Sequence, residues 1–300
     1  MTLRRVRVGT RGSELALTQT SLVSDWLIGM FPGTEVETVR IRTTGDIRSS
    51  DPISSMAGRG VFVDAIEQAL LASEIDFAVH SAKDLPPMNA AGLVVAAYPK
   101  REDPRDVLLT RDAHTLRTLR EGAVVGTSSR RRNCQIRAIR PDLRIVDLRG
   151  NVDTRIRKLD DGVYDAIVLA AAGLIRLSLS GRISEWLSPD DVLPAPCQGA
   201  LAIQVRADDS ELIDAFSEYN HLPTVTAMKV ERSFLATLGT GCAAPVAAYA
   251  LADESEVRFE AMVQQESGRI VRERTTCPPD SAIQIAEEMA RRMHSAALSG

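Results

Sequence analysis

Between Val124 and Lys158 the chain reads VVGTSSRRRNCQIRAIRPDLRIVDLRGNVDTRIRK, where nine arginines and one lysine meet only three acids. The chemistry such a stretch suits is the gripping of anions. Two β-branched residues, Val124 and Val125, run into Gly126, Thr127, Ser128 and Ser129, then into Cys134, Ile136, Ala138 and Ile139 at helical spacing. Strand, small polar turn and helix start bring free backbone N–H groups and the positive end of a helix dipole to one place. Arginines at that mouth hold a carboxylate or phosphate by paired hydrogen bonds. A second pass follows at once: Arg144 to Leu148 predicts a strand, Arg149-Gly150-Asn151 a turn, and Val152 to Leu159 a helix. Arg131, Arg132, Arg149 and Arg155, just past strand ends, are the candidate ligand contacts, because ligands of open α/β sheets bind outside the carboxyl ends of the strands. For Arg137, Arg140, Arg144 and Arg157 a solvated basic face is the expectation.

Two other places hold reactive groups. His80-Ser81-Ala82-Lys83-Asp84-Leu85-Pro86-Pro87 follows a predicted buried strand and is halted by prolines, so a hydroxyl, an ammonium and a carboxylate stand at a strand's carboxyl end. A solvated turn is the plainer alternative for Lys83 and Asp84. Cys242 lies in Gly239-Thr240-Gly241-Cys242, a turn with little steric cover. The turn alone does not separate a nucleophile from an inert loop thiol.

The elements that must position these groups repeat. Arg5 to Ser13 is an alternating strand ending in a small polar turn, followed by helical spacing from Glu14 to Ile28, and its VGTRGS matches the later VGTSSR. Asp76-Phe77-Ala78-Val79-His80-Ser81 is echoed by Asp165-Ala166-Ile167-Val168-Leu169-Ala170, in the same order along the chain. The repeats predict two similar α/β domains facing one another. Strands are expected at Glu35 to Arg42, Leu93 to Tyr98 and Ala200 to Arg206, and an amphipathic helix at Val61 to Ala72. The stretch Thr43 to Gly60 is a candidate lid. Breakers at Pro99 to Arg105 and Pro194 to Gly199 predict two crossings of the chain and a hinge. Domain 1 is then 1–99 with 200–219, and domain 2 is 105–193. From 220 to 300 a helix (Thr224 to Leu238), three antiparallel strands (Ala244 to Ala250, Val257 to Gln264, Ile270 to Thr276) and a closing helix (Ser281 to Leu298) predict a small α+β domain.

Composition narrows the classes. The chain has 300 residues, 44% hydrophobic and 25% charged, ordinary for a soluble globular protein of two or three domains. No apolar run reaches the ~20 residues of a membrane helix, and Met1 to Arg11 lacks a signal-peptide core, so a cytoplasmic protein is expected. Four separated cysteines without a CxxC pair and four scattered histidines argue against a metal site and a disulfide framework. A net charge of −4 with 4% aromatics argues against a general nucleic-acid binder.

Taken together, HSAKDLP, REDPRD, VGTSSRRR, LRGNVDTR, LAAAGL, QGALAI and GTGCAAPV resemble the porphobilinogen deaminase (hydroxymethylbilane synthase) family over nearly the whole chain. The resemblance implies two α/β domains arranged like periplasmic binding proteins, a small third domain, and a cytoplasmic, monomeric enzyme of tetrapyrrole synthesis. Four porphobilinogen molecules would be joined head to tail, with loss of ammonia, on a dipyrromethane primer held by a thioether to Cys242. Loss of ammonia gives an azafulvene that the terminal pyrrole attacks. Asp84 is the carboxylate expected to stabilise the positive charge on the ring nitrogens and to assist proton transfer. Each substrate brings an acetate and a propionate. By resemblance Arg11, Ser13, Arg59, Ser81, Lys83, Thr127, Ser129, Arg131, Arg132, Arg149, Arg155, Arg176 and Gln198 bind cofactor or substrate.

Some residues depart from the family's habit. Ala57-Gly58-Arg59-Gly60-Val61-Phe62 has arginine where lysine is common, Arg130 replaces an aliphatic residue, Cys197 stands where glycine is common, and Thr240 and Ala243 alter the surroundings of Cys242. The alternative function is a non-catalytic two-domain anion or solute binder, which has no need of the Gly241-Cys242 turn. A nucleic-acid binder using Val124 to Lys158 would show steeply salt-dependent binding.

Overall fold

The computed structural model describes residues 5–42, 63–239 and 245–298, with side chains as far as 294. The chain begins β1 (Arg5–Thr10), α1 (Glu14–Met30), β2 (Glu35–Arg40), α2 (Asp64–Leu71), β3 (Phe77–Ser81) and β4 (Leu93–Ala97). It continues β5 (Asp106–Thr110), β6 (Val124–Gly126), α3 (Arg130–Ile139), β7 (Arg144–Val146), α4 (Val152–Asp160), β8 (Ala166–Ala170), α5 (Ala171–Arg176) and β9 (Glu185–Trp186). Then come β10 (Leu201–Arg206), α6 (Ser210–Ser217), α7 (Leu222–Leu238), β11 (Val246–Ala252), β12 (Val257–Gln264), β13 (Ile270–Cys277) and α8 (Pro279–Leu298). The lid stretch 43–60 lies outside the described residues.

Two five-stranded mixed sheets have the same plan. The first runs β2-β1-β3-β10-β4 and the second β7-β6-β8-β5-β9. In each, three parallel strands are followed by one antiparallel strand, β10 in the first and β5 in the second. Each of those antiparallel strands directly follows a crossing segment. The sequence echoes fall on equivalent strands, β1 with β6 and β3 with β8. Their hydrogen bonds repeat as well. The Asp76 carboxylate accepts from Arg7 N at 2.8 Å and Asp165 from Val124 N at 2.7 Å, while Asp76 N and Asp165 N donate back to the same residues' carbonyls. Gly9 and Gly126 are matched in the same way: a β-carbon would meet the side chain of Ile75 at 2.2 Å in one and of Tyr164 at 2.9 Å in the other. The small residue of each VGT is therefore required by the side chain just before the acid.

Both faces of each sheet are covered, which is why β3 opens with Phe77-Ala78-Val79 and β8 reads as an unbroken apolar run. Val8, Phe77, Val79 and Ile203 pack with Leu27 and Phe216 on one face of the first sheet, and Ile75 and Ala78 with Ile66 and Leu70 on the other. In the second, Leu108, Val125 and Val168 pack with Ile136, and Leu109 and Ile167 with Leu148 and Leu159. Contacts divide the chain into two compact units, Met1–Arg101 with Ala200–Val225, and Glu102–Gly199 with Thr226–Gly300.

The antiparallel sheet β11-β12-β13 belongs to the second unit. Its Ala247 and Met262 pack against Cys134 of α3 and Leu193, and Arg272 donates to the carbonyls of Pro189 and Asp190. Phe234 of α7 meets Phe259 of β12 with ring centroids 5.5 Å apart. Four elements beyond those expected are present: β5, α5, β9 and α6.

Candidate active site

In the first unit β1 and β3 are parallel neighbours, so their carboxyl ends share one edge. Past β1 come Arg11, half-buried, and Ser13, whose hydroxyl caps α1 by accepting from Ala16 N at 3.4 Å. Past β3 come Ser81 and the 3-10 turn Ala82–Asp84. Gln19 of α1 donates to the Ser81 hydroxyl at 3.0 Å, tying helix to strand end. Lys83 is half-buried and Asp84 exposed. No described residue forms a hydrogen bond or ion pair with the Asp84 carboxylate. Beneath this rim a buried polar chain runs from the ring of His80, 3.1 Å from the Gln204 amide oxygen, to the Gln204 amide nitrogen, which donates to Glu67 at 2.8 Å. Burial pushes the His80 imidazole down to about 4, against the pull of its bond to Gln204, so the ring is neutral.

In the second unit β6 lies between β7 and β8, all parallel, and three loops leave one edge. Ser129 caps α3, accepting from Arg132 N at 3.3 Å, and Asn151 caps α4, accepting from Thr154 N at 3.0 Å. Serine and asparagine fit these places because their short side chains reach an otherwise unpaired N–H of the first turn. The cap uses a lone pair of Ser129 and leaves its O–H to donate. The buried Thr127 hydroxyl accepts from Ser129 N at 3.2 Å. Ser128 joins two of the loops, donating to Leu148 O at 2.9 Å. Arg155 Nε donates to Gly150 O at 2.7 Å, and half-buried Arg149 stands 3.9 Å from Asp147. Arg176, closing α5, donates to Gly199 O at 2.7 Å.

Arg131 and Arg132 are not on an open rim. They are 4% and 7% exposed, and both reach Asp106, the first residue of β5, which is 0% exposed. Arg131 Nη2 lies 2.8 Å from one carboxylate oxygen and its Nη1 donates to Leu193 O at 2.6 Å. Arg132 takes the other oxygen through Nη2 at 2.7 Å and Nε at 3.1 Å, with Nη1 donating to Val168 O at 2.9 Å. Gln198 is also buried, and its amide donates to Asp106 and to Pro104 O, each at 2.8 Å. Burial opposes the charge on Asp106, yet the two guanidiniums and the Gln198 amide hold its carboxyl well below the usual carboxylate range. Two cations against one anion leave the cluster with a net positive charge.

The crossing segments lie together at this cluster. Glu102 N donates to Gly199 O at 3.2 Å, and a β-carbon on Gly199, at φ +90°, would meet Glu102 O at 2.4 Å. Cys197 has φ +62°, a left-handed conformation that explains the expectation of glycine there. Its N–H donates to buried Glu231 of α7, which also accepts from Ala250 N at 2.8 Å. Cys134, Cys197 and Cys277 are buried, and burial pushes the Cys134 and Cys277 thiols up. Arg59 and Cys242 lie outside the described residues.

The structure thus brings Arg11, Ser13, Ser81, Lys83 and Asp84 to one edge of the first unit. It brings Thr127, Ser129, Arg149 and Arg155 to one edge of the second. Gln198 lies behind that edge, where it bonds Asp106. Arg140 is a structural clamp, donating to Leu116 O and Leu119 O as well as to Asp142. Asp106 and Glu231 were absent from the expected set. For Asp106 the available signal was an acid opening the apolar run Val107-Leu108-Leu109.

Comparison with known proteins shows the family. Residues 6–214 match the family model described as porphobilinogen deaminase, dipyromethane cofactor binding domain, and residues 225–295 match the porphobilinogen deaminase C-terminal domain. The chain is 48% identical to a porphobilinogen deaminase of Brevibacillus brevis over 94% of its length and 93% of the relative's. It is 50% identical to that of Thermus thermophilus over 89% and 87%. Among solved structures, a Salmonella typhimurium periplasmic binding protein covers 72% of this chain and 91% of its own, at 15% identity and a TM-score of 0.42. The fold is two α/β parts built on five-stranded mixed sheets of one plan, with a small C-terminal sheet-and-helix part.

Proposed function

The chain belongs to the porphobilinogen deaminase family, and we propose from this which of its residues carry the reaction. It is a transferase, a hydroxymethylbilane synthase, joining four porphobilinogen molecules head to tail on a dipyrromethane primer with release of ammonia. When bound by a thioether to Cys242, the dipyrromethane supplies the terminal pyrrole carbon to which the next unit is joined.

The observation that carries the assignment of residues is the buried cluster of Arg131, Arg132 and Asp106, whose surplus positive charge fits a group bearing carboxylates. In sequence Cys242 stands three positions after Gly239 and four before Val246, the first residue of β11. Ala247 of that strand packs against Leu193, the residue whose carbonyl accepts from Arg131. Both facts support primer carboxylates meeting Arg131 and Arg132. Thr127 and Ser129 add hydroxyl donors at the same helix start, and Arg149, Arg155 and Arg176 neutralise further acetates and propionates. In the first unit Arg11, Ser13, Ser81 and Lys83 do the same. Asp84 stabilises positive charge as it develops on the pyrrole nitrogens and holds the proton lost from the ring. Its carboxylate is exposed and forms no ion pair with any described residue. Arg59 serves the same anions from the 43–60 stretch. Gln198 acts on the ligand through Asp106.

The division into 1–99 with 200–219, 105–193 and 220–300, a monomeric state and a cytoplasmic location belong to the same proposal. No helix among the described residues is long and apolar enough to cross a membrane. Intact-protein mass spectrometry tests the assignment: the expected mass is that of the chain plus two pyrrole units, lost on Cys242→Ser. A bare chain mass, or an adduct that survives that substitution, would refute it.

A further inference from the structure

The two α/β sheets allow a residue-by-residue comparison of a charged cluster with its counterpart. Ser13 and Ser129 are the N-caps of α1 and α3, each accepting from the third helical residue, so Leu15 and Ala16 occupy the places of Arg131 and Arg132. Asp106 pairs with Ala170, the last residue of β8, and Leu201 pairs with Ser81, the last residue of β3. Where the second unit has Asp106, Arg131 and Arg132, the first has Leu201, Leu15 and Ala16. The same strand order, helix start and cap form with three apolar residues, so the fold does not demand the charges.

Burying three charges is costly unless they serve something else. Desolvation of each ion costs several kcal/mol, and apolar replacement of such clusters is often neutral or stabilising. The geometry shows what Asp106 does for the arginines. Each guanidinium takes a different carboxylate oxygen and is fixed at its other end by a carbonyl, Leu193 O for Arg131 and Val168 O for Arg132. The carboxylate therefore sets their spacing. It cancels one of their two charges, and no second carboxylate among the described residues meets either guanidinium.

We propose that Asp106 is a positioning residue, which holds Arg131 and Arg132 side by side with one uncancelled positive charge for a carboxylate of the tethered oligopyrrole. This rests on the assignment of a primer to Cys242. Asp106 itself does not touch the ligand. The cluster is an addition to the second copy of the fold, made at the cost of buried charge.

The experiment uses four chains purified from the same expression host: the parent, Asp106→Asn, the triple variant D106L/R131L/R132A, which installs the first unit's residues, and Cys242→Ser. Unloaded Cys242→Ser is the stability reference. The triple variant is expected to unfold at or above the urea midpoint of Cys242→Ser, yet to carry no two-pyrrole adduct by intact mass. Asp106→Asn keeps both arginines and is expected to fold, with an adduct-bearing fraction lower by about tenfold or more, since it loses charge-assisted bonds at the cluster. A purely structural Asp106 would lower the midpoint and leave the folded protein fully loaded. A triple variant that loads like the parent, or one that does not fold, overturns the proposal, as does a fully loaded Asp106→Asn. An adduct missing from the parent would instead remove the Cys242 assignment, and this inference with it.

Discussion

Lowering the pH should unload stability from the first unit through one side chain, His80. In the folded protein burial holds its imidazole at about 4, below its ordinary 6.5. The unfolded chain therefore binds a proton between pH 6.5 and 4 that the folded chain does not, and stability falls with pH across that window. The contribution is complete above about pH 6.5 and lost by about pH 4. A fall from 6.5 to about 4, at roughly 1.4 kcal/mol per unit, is worth about 3 kcal/mol. Asp76, Asp103, Asp106 and Asp165 also have carboxyls held below their ordinary values, so their contributions are lost only at lower pH and are shared by parent and variant. His80→Gln, neutral at every pH and able to meet Gln204, removes the His80 part alone. The reporter is Trp26, stacked on Tyr219 with ring centroids 4.0 Å apart in the first unit, in a Trp186→Phe background that silences the other tryptophan. Urea unfolding from pH 7 to pH 4.5 should give parent and variant curves that diverge as pH falls, the parent losing more. Parallel curves, or an imidazole that titrates near 6.5 by NMR, would refute a buried neutral His80 under the Asp84 rim.

Asp84→Asn should keep the two-pyrrole adduct by mass and lose most turnover; near-normal turnover would remove Asp84 from the mechanism. Replacing Arg149 with glutamine should weaken primer assembly or raise the KM for porphobilinogen, and full loading with an unchanged KM would count against its role. Glu231→Ala removes the carboxylate that accepts from the N–H groups of Cys197 and Ala250, at a cost of roughly 3–6 kcal/mol for two lost hydrogen bonds to a charged group; a urea midpoint equal to the parent's would show that water replaces the carboxylate.

Local signals carried most of the fold. The VGT glycines, the acids Asp76 and Asp165, and the apolar runs after them mark β1, β3, β6 and β8, because each acts on neighbours within one repeat. β5 escaped because its five residues follow the REDPR breaker and open with an acid, which reads as loop until Arg131 and Arg132 are seen to neutralise it. α5, six residues long, is too short for a helical period to show. α6 was legible in principle, with Asp209 capping it and Leu212, Ala215 and Phe216 at helical spacing. At the site, residue types at strand ends were readable, but partnership was not. Gln198, expected by resemblance to bind cofactor or substrate, has its amide nitrogen bound to an acid on β5, a partner the sequence did not point to. Arg140 looks solvated and is instead bonded to carbonyls of the loop before β6.

The repeat also assigns the carboxylate and the arginine cluster to different copies. Ser81-Ala82-Lys83-Asp84 follows β3, and Ala170-Ala171-Ala172-Gly173 stands at the same place after β8, so the second copy has glycine where the first has Asp84. Conversely, the first copy has Leu15 and Ala16 where the second has Arg131 and Arg132. Asp84 already shares its strand-end edge with Arg11 and Lys83, and two further guanidiniums at Leu15 and Ala16 would add two more cations to the first copy. A group that must answer a transient positive charge works only while no permanent cation occupies it. Divergence of two equivalent strand ends, one toward a single exposed carboxylate and one toward an arginine cluster balanced by a buried Asp106, is what the proposed division of labour between Asp84 and the arginines requires.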